Sequence, residues 1–298
     1  MHKTSNQQDF SPDQYRDAAA AAAAIESGSK RHETPCGAGH MVWRRWGNGP
    51  PVVLIHGGGG SWTHWIRNIA ALSGRHSVWA LDIPGLGDSA MPEPLSVESI
   101  VDAVERGMRT LIPGDELVDV VGFSFGTSIS TVLAARLKNR LRNLVLVAAR
   151  FALDPNRVRT RLVSWKNIDD PAARLVIHQR NLEILMMANP GNIDALAVCL
   201  QAANTERARY SGRRLVPGQN EKMHEYLPQV RAQGRVMGIS GSEDVGSKSV
   251  QDRQESALHA IHPDGRYFEI ENAGHWVQYE VAEQFNELLL DVLAAGKN

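Results

Sequence analysis

The chain has 298 residues, 43% of them hydrophobic, with 32 basic and 33 acidic side chains and a formal net charge of -1. That length can bury a substantial core, and the charge balance excludes the basic footprint of a general nucleic-acid binder. No stretch approaches the roughly 18 consecutive apolar residues of a membrane span, and Cys36 and Cys199 alone make neither a disulfide scaffold nor a four-cysteine zinc site. A soluble, globular, cytoplasmic protein is expected.

Taken in chain order, Tyr15-Arg16-Asp17 and seven alanines (Ala18 to Ala24) lead through Ile25-Glu26-Ser27 to Gly28. Alanine is the best helix former and glycine suits the position just past a helix end, so a helix is predicted in an N-terminal extension, 1–30. Asp9, Asp13 and Asp17 before a weakly apolar stretch argue against an export signal. The helix is expected to lie on the domain surface, with a homodimer contact as the alternative.

Met41 to Trp46 and Val52 to Ile55 flank the turn signal Gly47-Asn48-Gly49, which predicts an antiparallel pair. Further apolar runs follow at 78–81, 117–121, 144–147, 236–239 and 267–270. Short continuous runs are expected of strands buried on both faces, and helix-sized spacers imply a mostly parallel sheet with helices on both sides. Between Val147 and Val236 no comparable run occurs. Asp154-Pro155, Asp170-Pro171 and Asn189-Pro190 resemble helix starts there. Leu182, Leu185, Met186 and Asn189 stand at helical spacing, as do Leu196, Leu200 and Ala203. The prediction is an α/β core, 31–150 and 234–298, with an inserted helical cap, 151–233.

Four segments carry chemistry. Gly122-Phe123-Ser124-Phe125-Gly126 follows a strand and opens a helical run, which is the G-x-S-x-G nucleophile elbow in its required context. A sharp turn crowds the neighbours of the serine, so the flanking positions want glycine. Serine needs a base, and the chain order of this elbow puts acid and histidine downstream. Gly241-Ser242-Glu243-Asp244 and Ala273-Gly274-His275-Trp276 each follow a strand end. His275 is the candidate base and Asp244 the candidate acid, with Glu243 adjacent as its rival. His56 and the glycines Gly57 to Gly60 follow the strand that ends at Ile55. A loop stripped of side chains can bring N–H groups to a substrate oxygen, so Gly58 and Phe125 are the expected oxyanion donors. Trp62, Trp65, Phe123 and Trp276 are candidate substrate contacts, and core packing is an equal reading for the tryptophans. No cofactor or metal is expected; His259 and His262 offer only two ligands at i, i+3.

Together these segments resemble the α/β-hydrolase superfamily from about Arg31 to the C-terminus. Asp82 to Ser89 (DIPGLGDS) is similar to the loop after that family's fourth strand. His275-Trp276-Val277-Gln278-Tyr279-Glu280 resembles the end of the meta-cleavage-product hydrolases, which break carbon–carbon bonds. Two departures stand out: Phe123 replaces their usual asparagine, and their cap arginine falls near Gln201, with Arg207 and Arg209 close by. The resemblance implies a serine hydrolase acting on a small, largely apolar ester or related acyl compound. A carbon–carbon hydrolase and a non-catalytic ligand-binding protein on the same fold are the alternatives.

Overall fold

The computed structural model describes residues 9–112, 114–152, 160–210, 219–245 and 248–294. An N-terminal helix α1 (Pro12–Ser27) begins at a capping box, in which the Ser11 and Gln14 side chains each accept from the other's backbone N–H. It is docked on the domain. Phe10, Tyr15, Ala22 and Ile25 pack against the core, and Trp46 Nε1 donates to Ile25 O at 2.8 Å. Gly28 does stand at the helix end, but with φ -75° it makes no left-handed cap.

Eight strands follow: β1 (Lys30–Cys36), β2 (Gly39–Trp46), β3 (Pro51–Ile55), β4 (Ser77–Leu81), β5 (Val118–Phe123), β6 (Leu141–Val147), β7 (Val236–Gly241) and β8 (Arg266–Ile270). They form one sheet in the order β1-β2-β4-β3-β5-β6-β7-β8. β1–β2 and β2–β4 are antiparallel, and the remaining pairs are parallel. The expected mostly parallel sheet is therefore present, with two corrections. β2 and β3 are not paired, because β4 lies between them and β2 makes its hairpin with β1. Gly47 (φ +66°) and Gly49 (φ +115°) still turn the chain, and their missing side chains let it pass close to the Ser73 and Arg75 carbonyls on the approach to β4. β8 is also not buried on both faces: it closes the sheet as an edge strand, and Phe268 is 42% exposed.

Residues of β3 to β7 alternate between two cores. Val53, Ile55, Leu81, Val120 and Leu146 face one, which α3 (Val97–Leu111) and α4 (Phe125–Leu137) cover. Val52, Leu54, Ala80, Val121 and Ile239 face the other, covered by α2 (Ile69–Ser73) and the C-terminal helix Ala282–Ala294. This is the period-two geometry of a sheet sandwiched between helices. Low in the sheet, buried Asp119 accepts from Arg142 Nε and Asn143 Nδ2 at 2.8 Å each, which compensates a carboxylate removed from water.

Between β6 and β7 lie α5 (Pro171–Asn181) and α6 (Ala195–Arg207). Asp170 caps α5 as its Asp-Pro signature predicts, and Asp194 caps α6. Leu182 to Met186 form a π-helical turn, but Met187 leaves the helix at φ -125°, so the run does not reach Asn189. Asp154-Pro155 lies outside the described residues. The stretch 151–233 is not uniform. Ala197, Val198 and Leu200 of α6 join the second core, whereas Met223 of the helix Gln219–Tyr226 joins the first, with α4. No helix among the described residues is long and apolar enough to cross a membrane.

Candidate active site

β5 ends at Phe123 and α4 starts at Phe125, leaving Ser124 in a turn with φ 51° and ψ -112°. A non-glycine residue there costs about 1–3 kcal/mol, which the surroundings must impose. Its backbone is held: Ser124 N donates to Val147 O, and Ser124 O accepts from Thr127 N and Thr127 Oγ1. Both flanking glycines are required by space. A Cβ on Gly122 would lie 2.1 Å from Ser130 Oγ, and one on Gly126 would lie 2.5 Å from Ile55 O.

His275 Nε2 stands 2.8 Å from Ser124 Oγ, and His275 Nδ1 stands 3.0 Å from both carboxylate oxygens of Asp244. Asp244 is fully buried, while the histidine keeps 13% of its side chain exposed. These residues come from the ends of β5, β7 and β8, neighbouring or near-neighbouring strands of the sheet. The acid and histidine loops are joined directly: Glu243 N donates to Ala273 O, and Asn272 N to Ser242 Oγ. Of the two adjacent acids, it is Asp244 that the imidazole meets.

The glycine loop is fixed by two histidines. His56 Nε2 accepts from Ile83 N at 2.9 Å, so Nδ1 carries the proton and donates to Gly57 O at 2.7 Å. Gly57 N in turn donates to His64 Nδ1 at 3.1 Å. Burial holds the His64 imidazole well below its usual pKa, and nearby His56 and His275 add to the effect. A neutral ring keeps the lone pair that Gly57 N–H needs. With Gly57 N so engaged and Gly60 N donating to Gly57 O, two of the loop's amides are committed within it. Gly58 lies beside the elbow: a Cβ there would sit 3.5 Å from Phe125 Cβ. The two expected oxyanion residues are thus neighbours.

Past the glycines the loop is tied to its surroundings. Trp62 N donates to Asp82 Oδ1 at 2.8 Å. Asn204 of α6 accepts from Ser61 Oγ (2.7 Å) and donates to Thr63 Oγ1 (2.9 Å). Trp62, Trp65, Phe123 and Trp276 all lie in the core, none more than 4% exposed. Phe123 packs on the rings of His64, Trp65 and His275, and Trp276 donates Nε1 to His64 O. Arg207 pairs with Asp88, and Arg209 donates to Ser89 O, so both hold the loop after β4. His259 bonds Gly265 O, and His262 follows the helix end with φ -141°, so the two share no helix face. Among the described residues no three His, Cys, Asp or Glu side chains are grouped to hold a metal. Sequence reasoning missed Asn204, the role of His64 as an acceptor and Glu280; only Glu280 lay within a quoted motif.

Residues 50–282 match the family described as the alpha/beta hydrolase fold. The chain belongs to that family. Among its relatives, the pimeloyl-[acyl-carrier protein] methyl ester esterase of Vibrio cholerae is 25% identical over 273 residues, covering 84% of this chain and 97% of that protein. The 2-hydroxy-6-oxo-2,4-heptadienoate hydrolase of Pseudomonas putida is 39% identical over 108 residues, 35% of this chain and 38% of the relative. The crystal structure of a membrane phospholipase A shares the α/β-hydrolase fold, with a TM-score of 0.73 at 20% identity over 95% of this chain and 92% of that one.

Proposed function

We propose that the protein is a serine hydrolase that cleaves a small, largely apolar carboxylic ester or related acyl compound through an acyl-enzyme. The observation that carries this reading is the unbroken run from Ser124 Oγ through both nitrogens of His275 to buried Asp244, at 2.8 and 3.0 Å. His275 takes the Ser124 proton as the oxygen attacks the substrate carbonyl, then gives it to the leaving alcohol. Asp244 holds Nδ1 protonated and stabilises the imidazolium. The Gly58 and Phe125 amides receive the oxyanion, aided by the dipole at the start of α4. Water, deprotonated by His275, then releases the acid. No metal or cofactor enters these steps. In this reading α5 and α6 form a cap over the site.

The similarity to the heptadienoate hydrolase favours a second reading, carbon–carbon cleavage of a dienone acid. That substrate needs a cation for its carboxylate and polar support beside the serine. Phe123 is apolar, the place of the expected arginine falls near Gln201, and Arg207 and Arg209 are engaged with the loop after β4. We therefore expect kcat/KM for a short-chain aryl ester to exceed that for a dienone acid by at least about tenfold, about 1.4 kcal/mol in barrier. Both substrates measured on one preparation decide it. A faster dienone acid establishes the second reading, and no turnover of either points to a binding protein.

A further inference from the structure

We infer that Glu280 is a positioning residue for His275, holding the imidazole in register with Ser124 by gathering three backbone N–H groups onto one buried carboxylate. The proposal rests on the serine-hydrolase reading above. Glu280 is 7% exposed. Its Oε2 accepts from Gly274 N at 2.7 Å and Ala188 N at 3.1 Å, and its Oε1 accepts from Asn189 N at 2.8 Å. Gly274 immediately precedes the histidine. On the other side of His275, Trp276 N donates to Met186 O at 2.7 Å. The backbone N–H groups on both sides of the histidine are therefore held by one assembly, Glu280 and the segment Met186 to Asn189. No sheet or helix ladder performs that task here.

The fit is close. A Cβ on Gly274 would lie 2.6 Å from Ala188 N and 2.9 Å from Met187 C, so the two backbones touch with no side chain between them. A second tie runs alongside, where Tyr279 OH donates to Asp194 Oδ1 at 2.7 Å and Asp194 caps α6. α6 in turn carries Asn204, which grips Ser61 and Thr63 beyond the glycine loop. Glu280 thus sits where the histidine loop, the entry to α6 and, through α6, the oxyanion loop are brought to one reference. A carboxylate suits the position because it accepts on both oxygens, and each bond from an N–H to a charged acceptor is stronger than its neutral counterpart.

Glu280→Gln keeps the shape but turns an NH2 group toward N–H donors, leaving at least one of the three without an acceptor. A reacting group displaced by about 1 Å costs on the order of 10²-fold. The test is the second-order rate constant for phosphonylation of Ser124 by a fluorophosphonate, measured across pH on wild type and Glu280→Gln. This constant is independent of the fraction of protein that is folded. The expected result is a fall of about 10- to 100-fold throughout the pH range in which the wild type is labelled, because a displaced imidazole no longer meets the Ser124 hydroxyl. A purely structural role would lower the yield or the melting temperature and leave the rate constant unchanged at every pH, which overturns the proposal. If Glu280→Gln does not fold, Glu280→Asp retains the charge but withdraws it by one methylene, and the same rate constant is read with the same outcomes. A folded wild type that takes up no label sinks the serine-hydrolase reading and this proposal with it. A labelled wild type with an unaltered variant overturns the positioning role alone.

Discussion

Ser124→Ala is expected to lower kcat by about 10⁴- to 10⁶-fold while the melting temperature stays close to that of the wild type. The substitution removes one oxygen, the one that stands 2.8 Å from His275 Nε2. The turn is held through backbone groups: Ser124 N to Val147 O and Ser124 O from Thr127, none of which the side chain supplies. The left-handed backbone at φ 51° is as uncomfortable for alanine as for serine, so strain does not change. Steady-state kinetics on an aryl ester, paired with a thermal melt, check both halves. Retention of about a tenth of the activity in a purified variant overturns the nucleophile assignment.

Asp244→Asn should cost about 10⁴ in kcat, whereas Glu243→Gln should cost little. Asp244 is fully buried and both of its oxygens face His275 Nδ1 at 3.0 Å. An amide there offers an NH2 donor to the ring, which favours the tautomer with its proton on Nε2 and leaves no lone pair for the serine hydroxyl. Glu243 is only half-buried, and its backbone N–H already fixes the loop to Ala273 O. Comparing kcat for the two variants tests the register of the loop. The reverse ranking would make Glu243 the acid.

The order of the chemical segments was legible because each sits at a strand end, where local sequence suffices: the elbow, the histidine loop and the glycine loop each announce themselves within a few residues. What failed was non-local. β1, Lys-Arg-His-Glu-Thr-Pro-Cys, is an edge strand with little apolar content, so no hydrophobic run marked it. The insertion of β4 between β2 and β3 depends on pairing that a turn signal cannot reveal. Whether Trp62, Trp65 and Trp276 line a pocket or fill a core is equally invisible to composition; the structure packs them inside. Glu280 ends the run quoted from His275, but its acceptor role depends on Ala188 and Asn189, distant in the chain. Asn204 is hidden for the same reason, its partner Ser61 being 143 residues away.

Activation of Ser124 as a nucleophile is read from the mass of the intact protein after reaction with a fluorophosphonate, followed by peptide mapping. A single adduct is expected, on the peptide that carries Ser124, absent from Ser124→Ala and greatly slowed when His275 is replaced by alanine. A folded protein that hydrolyses the aryl ester but carries the adduct on another residue, or carries none, would contradict it.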